Sequence, residues 1–79
     1  MITPRQCRAA RALLGWTQAK LAEASGIPKD TISRFENLKS DTRGQALIEV
    51  EKAIRRGGVK LIQAEGGEGE GVKVARAKD

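Results

Sequence analysis

A mainly α fold, four helices followed by a C-terminal β-hairpin, is what this 79-residue sequence predicts. Three observations carry that expectation. Apolar residues recur at helical spacing in four segments before Gly57. Thr or Pro stands at the starts of the first three segments and Gly at several of their ends. After Gly58 the apolar period drops to two, the period of a half-buried strand.

Thr3-Pro4-Arg5-Gln6 opens the first helix: Thr3 can cap, Pro4 suits the first turn because its missing N–H would be unpaired there, and Gln6 completes a capping box. The helix runs to about Leu14, with Cys7, Ala10, Leu13 and Leu14 on its inner side, and Gly15 ends it. Thr17 caps the second helix. Trp16 and Leu21 are spaced for a hydrophobic staple across that cap, so Trp16 is read as a packing residue.

The stretch from Thr17 to Asn37 is the most informative part of the chain. Leu21 and the small Ala22 give the second helix a face that another helix can approach. Gly26 stands where the chain must reverse, and glycine takes a positive φ without steric cost. Ile27, Ile32 and Phe35 then form the buried stripe of a third helix, which starts near Pro28 and stops near Asn37. Pro28 is either the first helical residue or the cap. This is the pattern of a helix-turn-helix, whose second helix commonly enters the major groove of DNA.

A polar connector from Leu38 to Gly44 precedes a fourth helix from Gly44 or Gln45 to Arg56. Leu47, Val50, Ala53 and Ile54 are its stripe, Arg55 and Arg56 complement its dipole, and Gly57-Gly58 stops it. Val59–Gln63 and Val72–Arg76 alternate apolar and polar residues, with a glycine- and glutamate-rich tip between them. Residues 1–58 therefore read as the helix-turn-helix domain, and 59–79 as a hairpin or tail that packs on the helices or pairs two chains.

The net charge is +5, and residues 1–39 hold seven Lys/Arg against three Asp/Glu. Positive charge thus collects on the half with the helix-turn-helix, which suits a polyanion. No apolar run approaches the roughly 20 residues of a membrane span, no signal-peptide core opens the chain, and a single cysteine permits no internal disulfide. A cytoplasmic protein is expected. With no histidine, neither a Ser-His nor a Cys-His nucleophile pair can be built, and one cysteine makes no typical zinc site. The chain reads as a non-enzyme without metal or cofactor.

With Ile32 and Phe35 buried, the opposite side of the third helix shows Lys29, Asp30, Ser33 and Arg34 as base-reading candidates: Lys or Arg suits guanine, Asp suits cytosine N4. Gln18 and Thr17, at the start of the second helix, and Asn37, Lys39 and Arg43 are candidates for the DNA backbone.

At these residues the chain resembles the Xre/Cro family of repressor-like helix-turn-helix domains, most specifically over Thr17–Ile27 and Thr31–Asn37 and more loosely from Thr3 to Arg56. The resemblance implies a compact DNA-binding domain in which Gln18 touches the DNA backbone and Arg11 and Glu36 form a structural ion pair. Pro28 stands where many members carry Ser or Thr, and Leu38 where many carry Gly. The expected function is a sequence-specific transcriptional regulator, acting as a homodimer on double-stranded DNA. The alternative is an antitoxin or bridging module that uses the same fold to hold a toxin or other protein.

Overall fold

The computed structural model describes residues 2–37, 44–64 and 69–74. It contains α1 (Pro4–Leu14), α2 (Gln18–Ser25), α3 (Lys29–Glu36), α4 (Gln45–Gly57), β1 (Val59–Ile62) and β2 (Gly71–Val74). Lys39 and Arg43 lie outside the described residues, as do Ala75 and Arg76 of the expected second strand.

Local chemistry sets the helix ends. The Thr3 hydroxyl accepts from the Gln6 N–H at 3.1 Å, and the Gln6 amide oxygen accepts from the Thr3 N–H at 3.0 Å, so the capping box is complete. Thr17 Oγ1 accepts from Lys20 N–H at 3.0 Å. Pro28 occupies the cap of α3 with extended backbone (φ −56°, ψ 142°) and supplies no side-chain acceptor.

α1 packs on α3, α4 and the hairpin, and α2 packs on α3 and α4. One core joins them, built from Cys7, Ala10, Leu21, Ile32, Phe35, Leu47, Val50, Ala53 and Ile54 with Ile2, Val59 and Leu61. The two strands therefore contribute to the same core as the helices. Ile2 is stitched to α4 by its N–H, which donates to Glu51 Oε1 at 2.8 Å.

Two details depart from the sequence reading. Leu13 was expected on the inner side of α1, yet it is 46% exposed. One residue turns a helix by about 100°, so Leu13 cannot share the direction of Leu14, and no described element covers it. Within the described residues the hairpin is offset by one position at its tip: β1 stops at Ile62 rather than Gln63, and β2 begins at Gly71 rather than Val72, because Ile62 pairs with Gly71 as Val59 pairs with Val74.

Gly57 is the last residue of α4 and does more than stop it. A Cβ there would lie 3.0 Å from the Trp16 ring and 3.1 Å from Leu14. The glycine lets the indole close the gap between α1 and α4.

Gln6 joins the hairpin to α1. Its side chain is 1% exposed, and Nε2 donates to the Ile62 carbonyl at 2.9 Å and the Gly71 carbonyl at 3.1 Å. Replacing Gln6 with Leu strands both carbonyls and the Thr3 N–H, and should cost about 2–3 kcal/mol in a urea-unfolding measurement. A loss below about 0.5 kcal/mol would show that the hairpin is held by apolar packing alone.

Candidate nucleic-acid interface

The candidate surface is built on α2, the turn at Gly26 and α3. Leu21, Ile32 and Phe35 are buried at the junction of the two helices, with Ala22 and Ile27 packed against them. Gly26 holds φ at +76°, in the left-handed region, and its N–H donates to the Ala22 carbonyl at 2.9 Å. Ser25 Oγ accepts from the Ile27 N–H at 3.2 Å, which fixes the exit of the turn.

Burying Ile32 and Phe35 leaves the other side of α3 in solvent. Lys29, Asp30 and Arg34 are exposed there and Ser33 is half-buried. Lys29, Asp30 and Arg34 form no salt bridge among the described residues. Ser33 Oγ accepts weakly from Asn37 Nδ2 at 3.4 Å. Thr17 is exposed, but its hydroxyl already caps α2.

The end of α3 is anchored by a buried carboxylate. Glu36 is 2% exposed and its carboxylate receives four hydrogen bonds. Arg11 grips it in a fork, Nε to Oε2 and Nη2 to Oε1, both at 2.8 Å. Cys7 Sγ donates to Oε2 at 3.1 Å, and Gln18 Nε2 donates to Oε1 at 3.0 Å. Arg11 also donates to the Trp16 carbonyl at 3.1 Å. Arg8 donates to the Glu36 backbone carbonyl, setting a cation at the negative end of the α3 dipole.

Burial alone would raise the Glu36 pKa, but the hydrogen bonds from Arg11, Cys7 and Gln18 outweigh it and hold the carboxyl below its ordinary range. The same site pushes the Cys7 thiol strongly upward, through burial first and then through its bond to Glu36. The thiol therefore stays protonated, as a donor must. The bond from Gln18 also fixes its amide: the carboxylate only accepts, so Nε2 faces Glu36 and Oε1 faces away.

The structure thus brings Arg11, Glu36 and Gln18 together, and places Lys29, Asp30 and Arg34 on an open surface. The sequence places Cys7 on the inner side of α1 but shows neither its bond to Glu36 nor the role of Arg8. Cys7 is four residues and Arg8 three residues from Arg11 on α1, spacings that suit one face, but the Glu36 carboxylate and backbone carbonyl they meet come from another helix. Among the described residues no group of three His, Cys, Asp or Glu side chains is placed to hold a metal ion, and no described helix is long and apolar enough to cross a membrane.

The model of the helix-turn-helix family HTH_3 matches residues 8–60, from α1 into β1. The chain belongs to this Xre/Cro-like family. No curated protein matches the chain. HTH_3 is a family of DNA-binding regulators and not typically of enzymes, so a DNA-binding regulatory role follows from membership. The matched residues contain the whole of α2, the Gly26 turn and α3, together with Arg8 and Arg11, which hold the end of α3.

Proposed function

We propose that this HTH_3 protein is a sequence-specific transcriptional regulator that reads double-stranded DNA with α3 in the major groove. The observation that carries the reading is the division of α3 into a buried side and an open side, with Glu36 tying its end to α1 and α2. A helix held at three points presents Lys29, Asp30, Ser33 and Arg34 in a fixed geometry, which base discrimination requires. Lys29 and Arg34 suit guanine O6/N7, Asp30 suits cytosine N4, and Ser33 suits either kind of base edge. Thr17, Gln18, Asn37, Lys39 and Arg43 serve the backbone, Gln18 with the amide hydrogen that Glu36 does not take.

The protein acts as a homodimer in this reading, two copies of α3 meeting half-sites about 34–36 Å apart. Residues 59–79 supply the contact between copies. Ile62 at 40% and Val74 at 50% exposure on a two-stranded sheet support that role. The same exposed hairpin supports the second reading, an antitoxin or bridging module that docks another protein there.

Selecting binding sites from random duplex DNA at two salt concentrations tests the proposal. A two-fold-related motif that persists at the higher salt, with two chains per duplex by sedimentation, is the expected result. Binding without an enriched motif, lost as salt rises, would reduce the chain to a general phosphate binder.

A further inference from the structure

On the outer face of the hairpin two lysines oppose each other. The register places Lys60 directly across from Lys73, and both are exposed. Like charges at such a position destabilise a strand pair, and neither lysine has a salt-bridge partner among the described residues. Ile62, two residues on from Lys60 and on the same face, is 40% exposed. Beside β1 runs a groove of about 330 Å3 lined by Arg55, Val59, Lys60 and Leu61. Arg55 reaches Glu51 only at 3.8 Å, with its side chain 63% exposed. The sheet has two strands, so the edge of β1 away from β2 has no strand partner among the described residues.

We propose that this edge of β1 binds an extended acidic segment of another protein by strand addition. An added strand takes its main-chain hydrogen bonds from the open edge. Its side chains alternate between two faces. Those on one face lie beside Lys60, with the charge of Lys73 one strand further on, which calls for Asp or Glu. Those on the other enter the groove against Val59 and Leu61, which calls for apolar residues. A segment alternating acidic and apolar residues satisfies both.

Two other occupants fit less well. At this edge a second copy adding β1 to β1 with its faces matched sets Lys60 beside a further Lys60 when centred on Lys60 and beside Ile62 when centred on Leu61. Neither register gives the lysines an acidic partner, and the homodimer contact proposed above falls on another part of the hairpin. A DNA backbone would leave the apolar lining unused. The hairpin packs on α1 and α4, whereas α3 packs on α1 and α2, so the two surfaces belong to different sides of the helical core. The proposal does not rest on the DNA-reading assignment.

The probes are a synthetic peptide alternating Glu and Val over about eight residues, long enough for one strand, and its counterpart with Lys for Glu. Titrated into the 15N-labelled full chain, the Glu peptide should shift the amides of β1 and Arg55, and the Lys peptide should not. Lys60→Glu pairs opposite charges across the hairpin, so it should raise Tm by about 2–4 °C. The same variant should weaken the Glu peptide by about tenfold or more and change the affinity for random duplex DNA by less than about twofold. A Glu peptide that fails to bind, or binds Lys60→Glu equally well, overturns the proposal. A matching loss of duplex affinity in Lys60→Glu also overturns it, and assigns the face to nucleic acid.

Discussion

Glu36→Ala is expected to lower the unfolding free energy by about 3–5 kcal/mol, the usual cost of removing one partner from a buried ion pair. The carboxylate is 2% exposed, and its loss strands the Arg11 fork, the Cys7 thiol and the Gln18 amide together. A small domain holds about 5–15 kcal/mol in all, so a large fraction of its stability rests on this one group. Lys20 and Glu23 make the contrast. They meet at 3.4 Å with side chains 51% and 76% exposed, and Glu23→Ala should cost less than about 1 kcal/mol. Urea unfolding of both variants, followed by circular dichroism, measures the difference. Similar costs for the two would show that the Glu36 network carries little net stability.

The pH dependence follows from the same group. Its folded pKa is depressed, so the unfolded chain takes up the proton first as pH falls. The stabilisation is present above the ordinary carboxyl range and is lost as pH drops through the folded value. Glu36→Gln should therefore show a flatter stability curve in acid than the parent chain, alongside its lower stability near neutrality. Parallel curves would place the acid sensitivity elsewhere.

The Lys29→Ala/Arg34→Ala double variant should bind its selected DNA site about a hundredfold or more weakly, since each good base contact discriminates by about 1–3 kcal/mol. Both side chains are exposed, so stability should change by no more than about 0.5 kcal/mol per site. Preference at the contacted bases should relax. Full affinity in the double variant would remove α3 from the role of reader. Gln18→Ala should behave differently, weakening DNA evenly across sequences while lowering stability through Glu36.

Much of the fold is legible in the sequence, because its signals act over three or four residues. Thr3 and Thr17 cap amides three positions on. Gly15, Gly26 and Gly58 take the left-handed conformation one step beyond their helices. The stripe of Leu47, Val50, Ala53 and Ile54 names the buried face of α4 by its spacing alone. The open side of α3 could be read in the same way, as the complement of Ile32 and Phe35.

What could not be read this way depends on residues far apart in the chain. Gln6 is a capping residue by sequence, but carbonyls 56 and 65 positions away make it the link to the hairpin. Cys7 has no local partner, and only the crossing of α1 and α3 sets its thiol on Glu36. The need for glycine at position 57 exists only where the Trp16 ring lies. By itself the sequence determined the four helices, the caps at Thr3 and Thr17, the reversal at Gly26 and the polar side of α3, because hydrogen bonds and periodicity act within a turn or two. Tertiary structure alone decided that β2 pairs in the register of Val59 with Val74 and that one buried carboxylate locks the end of α3. Those outcomes follow from which surfaces meet, and periodicity along one segment carries no information about the element packed against it.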